Sequence, residues 1–204
     1  MSEFVFDPVE HKYHVDGVEY PSITTLLKPL AGYDNIPEFV LQRAGAFGTA
    51  VHKAVELWLC GGDKPEMTED VELCFSGFPR FWAEHPEWHD VPRIVEQPMY
   101  HPKLKYAGTA DLILVDVATI EIKSRLFKKA TDPLQLVAQE NLSQANNPVT
   151  KQLPRYVLEL HKNGTHSLIN ATDKQAWSKF RYLLDHHWHC REYEQNINLW
   201  RNQK

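Results

Sequence analysis

Apolar and polar positions repeat with two different periods along this chain, and the switch between them marks its organisation. Lys12 to Val15 and Val18 to Tyr20 alternate with period two around Asp16-Gly17, a favoured two-residue turn, and so predict a β-hairpin. Ser22 stands where a side-chain N-cap opens a short helix through Leu27. A second helix is expected over Glu38 to Ala44. A third runs from Ala46 to Cys60, with Val51, Ala54, Val55, Trp58 and Leu59 at helical spacing and Gly61-Gly62 closing it. Thr68-Glu69-Asp70 begins a fourth, which ends before Pro86. From Arg93 the period changes. Arg93 to His101, Ala107 to Asp116 and Thr119 to Lys123 are rich in Ile, Val, Leu and Tyr and read as a meander of strands. Asp132-Pro133 opens a helix to Ala145. Tyr156 to His161 and His166 to Asn170 form a hairpin around Asn163-Gly164, and Thr172-Asp173 opens a closing helix to Glu194.

This order predicts an α/β (α+β) fold, a central mixed sheet flanked by helices. No internal repeat or Gly/Ser linker interrupts it. At 204 residues it reads as a single domain over 1–204, with the hairpin and helices of 1–45 as an appendage to the core. A composition 43% hydrophobic and 24% charged excludes a disordered or fibrous chain. No stretch approaches the ~20 apolar residues that span a bilayer, so no membrane partner is expected. The opening Met1-Ser2-Glu3-Phe4 lacks a basic, then apolar, leader, and Cys60, Cys74 and Cys190 are odd in number and far apart. A cytoplasmic protein without disulfides is the expectation.

A formal net charge of −5 does not by itself point to nucleic acid, which needs only a local basic patch. Lys123, Arg125, Lys128 and Lys129 form one such run, whose plain alternative is a solvated face. The chemistry lies just before it. Strand alternation puts Glu121 and Lys123 on one face and Ile120 and Ile122 on the other. If the chain from Asp111 to Glu121 is a tight hairpin, Asp111, Glu121 and Lys123 share a patch beside the Ile122 carbonyl. Two carboxylates and a carbonyl suit a hard cation, one or two Mg²⁺ or Mn²⁺. The adjacent lysine can orient water or stabilise charge on a phosphate oxygen. Gln135 and Gln139 share a helix face, either as a polar surface or as phosphate contacts. His186, His189 and Cys190 also share a helix face; zinc is conceivable there, but no fourth ligand is evident and a packing helix is the favoured reading.

These residues resemble the PD-(D/E)XK nuclease superfamily, in particular its RecB-like exonuclease branch with phage-type and mitochondrial-type members. That branch shows G-x-x-x-H on a helix, a Glu on the first core strand, G-T-x-D on the second, (D/E)-x-K-(S/T) on the third and Q-x-x-x-Y on the next helix. The chain has Gly48 to His52, Glu96, Gly108-Thr109-Ala110-Asp111, Glu121-Ile122-Lys123-Ser124 and Gln135 to Gln139. Tyr20-Pro21-Ser22-Ile23-Thr24 is similar to the opening element of the phage-type and mitochondrial-type members. The likeness spans Tyr13 to Ala171, and it departs from the pattern where Gln139 stands for Tyr.

The resemblance implies a restriction-endonuclease-like core and a metal-dependent deoxyribonuclease, an exonuclease leaving 5′-phosphates in recombination, repair or replication. It makes Asp111, Glu121 and Lys123 catalytic. His52, Asp111, Glu121 and the Ile122 carbonyl become metal ligands, with Glu96 a further one. Ser22, Ser124, Arg125, Lys128, Lys129, Gln135 and Gln139 become substrate-binding candidates. DNA is the implied partner, in a bacterial cytoplasm or that of a phage host, and a homo-oligomer or a replication partner is compatible with it. Three scattered cysteines cannot supply the four that iron–sulfur members need, and no P-loop suggests ATP. A structure-specific or nicking endonuclease with the same site is the first alternative. A catalytically silent nucleic-acid-binding module is the second, and the intact Asp111, Glu121 and Lys123 weigh against it.

Overall fold

A computed structural model describes residues 2–146 and 152–201. The first unit is a small antiparallel sheet, β1 (Phe4–Asp7), β2 (Lys12–Val15) and β3 (Val18–Tyr20). The turn works because Asp16 and Gly17 adopt φ of +50° and +77°, the left-handed values a tight hairpin requires. Tyr13, Val15 and Tyr20 are buried against Ala107, with Phe4, Phe6 and Tyr100 around them. Helix α1 (Ile23–Leu27) then begins at Ser22, whose Oγ accepts the Thr25 N–H at 3.0 Å.

Helix α2 (Glu38–Leu59) is one continuous helix, not the two expected. An interior glycine costs about 1 kcal/mol relative to alanine, too little for Gly45 to break a helix this long. Its stop is where the sequence placed it: Gly61 takes φ +69° and the Gly62 N–H donates back to Leu57 O at 2.8 Å. The next helix is the reverse case. It splits into α3 (Glu69–Phe75) and α4 (Gly77–Ala83). A Cβ on Gly77 would lie 2.8 Å from the Thr165 carbonyl oxygen, so the far hairpin presses directly onto this point of the chain.

The main sheet contains β4 (Arg93–Tyr100), β5 (Ala107–Leu114), β6 (Ala118–Lys123), β7 (Arg155–Leu160) and β8 (His166–Asn170), in that spatial order. All neighbours are antiparallel except β6 and β7, which are parallel. Helix α5 (Asp132–Asn146) makes the crossover between them, and α6 (Ala176–Arg201) closes the chain. The fold is therefore the mixed α/β arrangement that the pattern predicts. One face of the sheet packs Ala110 and Ile113 against α1, α5 and α6 through Leu26, Leu142 and Phe180. The other packs Leu112, Ile120 and Ile122 against α2, α3 and α4 through Val51, Cys74 and Phe78. Helix α1 sits close: a Cβ on Gly108 would meet Ile23 Cδ1 at 2.6 Å. No helix among the described residues is long and apolar enough to cross a membrane.

Two ion pairs hold α5. Arg155 and Glu140, both buried, meet at 2.7 Å. At its first turn fully buried Asp132 receives two Arg125 N–H bonds of 2.6 and 3.0 Å and the Lys128 N–H at 2.7 Å. Burial raises the Asp132 carboxyl, but Arg125 and the Lys128 amide outweigh it and hold the pKa below the usual range. Its stabilisation is complete above the unfolded carboxyl value of about 4 and is lost as pH falls through the lower folded value. Asp132→Ala is expected to cost roughly 3 kcal/mol at neutral pH, because it leaves the partly buried guanidinium unpaired. Urea unfolding at pH 7 and pH 3 checks this, with a smaller gap between wild type and variant at the acid end.

Candidate functional site

The site is built where β5 and β6 part from each other, beyond their last paired residues Leu112 and Ile120. Leu112 pairs with Ile120, which places Asp111 beside Glu121 across the two strands. Asp111 Oδ2 accepts the Ile122 N–H at 2.7 Å, fixing the carboxylate at the strand edge. Helix α2 supplies His52, whose Nε2 donates to the Ile122 carbonyl at 2.8 Å. A carbonyl only accepts, so Nε2 carries a proton and Nδ1 is the atom turned to the carboxylates. Nδ1 lies 2.9 Å from Glu96 Oε1 and 3.7 Å from Asp111 Oδ1.

Glu96 reaches this point through an unusual backbone. Val95 pairs with Leu112 and Gln97 with Ala110, so Glu96 falls opposite Asp111 in β4, yet its φ is +44°. A left-handed non-glycine residue stores about 1–3 kcal/mol of strain, and such residues cluster at functional sites. His52, Glu96 and Asp111 bring one ligand atom each within 4.8 Å of one another. This is the only such group of three among the described residues.

Glu121 is fully buried and held separately. Its Oε1 accepts from Lys123 Nζ and from Gln135 Nε2 at 2.6 Å, and its Oε2 accepts from Gln139 Nε2 at 2.6 Å. Gln139 also donates to Thr109 O at 3.0 Å, and Lys123 Nζ reaches Gln135 Oε1 at 3.2 Å. The shared face of Gln135 and Gln139 therefore turns inward onto the Glu121 carboxylate. Gln139, with no exposure, orients Glu121 rather than offering itself to a substrate.

The electrostatics all point one way. Burial and the nearby Asp111 raise Glu121 to about 7. Burial, then the Glu96 charge, raise Asp111 in spite of the opposing His52 and Lys123. Burial disfavours the His52 imidazolium, but Asp111 and Glu96 more than offset that and lift it to about 9. Burial also disfavours the Lys123 ammonium, and Glu121 and Asp111 again outweigh it, so the group is a firm cation. Three carboxylates, Glu96, Asp111 and Glu121, crowd beside one ammonium and one imidazolium, and the raised Glu121 and Asp111 carboxyls reflect that crowding. Oxygen donors crowded in this way, plus one imidazole, fit a divalent cation.

A cleft of about 730 Å³ borders this cluster and is lined in part by His52, Gly48, Lys123 and Ser124. Arg125 and Lys128 line it as expected. Neither is free: Arg125 is committed to Asp132, and Lys128 Nζ donates to Ala31 O at 3.1 Å and stands 4.4 Å over the Tyr33 ring. Lys129 instead borders a separate groove with Leu134 and Lys179, and Ser22 is spent capping α1. Exposed Arg43 and Lys162 line the cleft and went unnoticed in the sequence. Lys162 follows β7 directly, and only the parallel pairing of β6 with β7 brings it beside the site. Arg155, whose strand runs parallel to β6, is buried against Glu140. His186, His189 and Cys190 are exposed on α6 and gather no further ligand among the described residues. No family model matches the chain, and no curated protein matches it.

Proposed function

We propose that this chain is a divalent-metal-dependent deoxyribonuclease, an exonuclease that hydrolyses phosphodiester bonds to leave 5′-phosphates, as its resemblance to the RecB-like branch implies. The observation that carries this reading is the convergence of His52, Glu96 and Asp111 near the Lys123 ammonium, with His52 and Lys123 lining an open cleft that Arg43 and Lys162 also border. Asp111, Glu96 and His52 Nδ1 would hold the cation, with Glu121 joining when Lys123 and Gln135 release its Oε1. A Mg²⁺ or Mn²⁺ held by these residues would supply Lewis acidity, for polarising a phosphate and lowering the pKa of a water. The protein's own groups supply position and charge. Gln135 and Gln139 hold Glu121, and Lys123 places a permanent positive charge where negative charge develops on the phosphate. The imidazole suits Mn²⁺ better than Mg²⁺, so Mn²⁺ is the expected better cofactor.

End-labelled linear duplex incubated beside covalently closed duplex circles tests the reading. Loss of the linear form alone is expected in Mn²⁺ or Mg²⁺; loss of the circles would make the enzyme an endonuclease. Arg43 and Lys162, exposed and without an ion pair among the described residues, are the cations expected to grip phosphate. Replacing both with Ala should weaken DNA binding without regard to sequence and reduce the salt slope by about 1.4 units of log K on single strands, or 0.7 per lost contact. An unchanged slope, measured by fluorescence anisotropy in EDTA, would mean both side chains are merely solvated.

A further inference from the structure

The loop that leaves β6 borders two concavities. Its Ser124, Arg125 and Lys128 line the cleft beside the candidate site, whereas Lys129 lines a separate groove of about 530 Å³ between the start of α5 and the first half of α6. The two share no lining residue. Lys129 is the member of the basic run that the candidate site leaves unused.

The groove combines two chemistries. Leu30, Leu134 and Leu183 give it aliphatic walls, and Tyr182 lines it with 72% of its surface exposed. Lys129 and Lys179 line the same groove, and no described carboxylate does. Lys129 is exposed and has no ion pair among the described residues. Lys179 Nζ meets Asp173, which lies outside the lining, at 2.8 Å, and half of the Lys179 side chain stays exposed. In a chain whose formal net charge is −5, this local positive character is a departure from the whole. An exposed apolar patch rimmed by polar groups marks an interaction surface, and this volume is in the range of sites that enclose a ligand's side chains. The sign of the charge decides the partner: carboxylates complement the lysines, and apolar side chains complement the leucines. Residues 1, 147–151 and 202–204, which lie outside the described residues, carry no carboxylate side chain and so do not match the groove. A nucleic acid would satisfy the lysines, but leucine walls offer a base no hydrogen bond.

We propose that this groove docks an acidic peptide segment of another protein, which sets leucine or phenylalanine side chains against Leu30, Leu134 and Leu183 and carboxylates against Lys129 and Lys179. The proposal stands apart from the nuclease reading, and its test needs no cleavage. The probe is a fluorescein-labelled peptide, Gly-Ser-Glu-Asp-Glu-Leu-Asp-Glu-Leu-Leu-Phe-Gly, titrated with the protein in EDTA and followed by anisotropy. It should bind at least tenfold more tightly than a control with Gln and Asn for its acids, and than one with Ser for its Leu and Phe. Tyr182→Ala, at an exposed position, should weaken binding about fivefold. Lys129→Glu should weaken it further, and Lys129→Glu plus Lys179→Glu should instead bind the same peptide with Lys for its acids; thermal unfolding checks that each variant is folded. A 12-nucleotide single strand of DNA at equal concentration should leave the peptide bound. Displacement by that strand would assign the groove to nucleic acid and overturn the proposal. So would acidic-peptide binding that survives the charge reversal, affinity no greater than that of the controls, or no binding at up to about 0.5 mM protein.

Discussion

Lys123→Ala is expected to lower the rate of DNA cleavage by about 10²–10³-fold, the effect of losing one preorganised group that stabilises transition-state charge. The ammonium is held against Glu121 and Gln135 in the lining of the cleft, and its charge is secured by Glu121 and Asp111. The fold should survive the change. Glu121 keeps the amide donors of Gln135 and Gln139, and Lys123 is the last residue of its strand. Single-turnover cleavage at saturating DNA, with circular dichroism as the folding control, measures this. Near-normal turnover would take Lys123 out of the reaction.

Asp111→Asn should separate metal binding from folding. The asparagine Oδ1 can still accept the Ile122 N–H, so the strand edge keeps its hydrogen bond. The substitution also removes one of three neighbouring carboxylates, so in EDTA the variant should unfold no earlier than wild type and somewhat later. The difference appears when metal is added. At 100 times Kd, Mn²⁺ should stabilise wild type by about 2.7 kcal/mol. For a chain of this size that is a Tm increase of about 5–10 °C. The variant should show almost none of it. Glu121→Gln makes the contrast informative: Glu121 lies outside the group of three converging ligands, so its loss should reduce the metal shift less than the loss of Asp111 does. A full metal shift in Asp111→Asn would contradict the proposed ligand set.

The sequence carried much of this architecture because the relevant signals are local. Alternation placed Glu121 and Lys123 on one face, and the ten-residue step from Asp111 matched a tight hairpin, as the Leu112–Ile120 pairing shows. Asp16-Gly17 and the glycines after α2 encode their turns directly in backbone preference. What escaped depends on contacts distant in sequence. The split between α3 and α4 reflects the Thr165 carbonyl pressing on Gly77, 88 residues away, which no periodicity reports. The positive φ at Glu96 is enforced by the surrounding sheet and is unremarkable as a glutamate in a strand. The inward turn of Gln139 follows from the packing of α5 beneath β5 and β6, and the identical i, i+4 pattern would serve a solvated helix face as well. Arg125 and Lys128 of the basic run line the cleft as expected, but their buried and backbone partners are supplied only by the folded chain.

The most direct test of the central claim is cleavage of linear, end-labelled single-stranded DNA by the purified protein in Mn²⁺, in Mg²⁺ and in EDTA, with the products resolved by length and terminal group. Nucleotides bearing 5′-phosphates should be released in either metal and not in EDTA, and Lys123→Ala protein should leave the strand intact throughout. DNA that persists unchanged in both metals, or that is lost equally in EDTA or with the Lys123→Ala variant, would contradict a metal-dependent nuclease centred on this site.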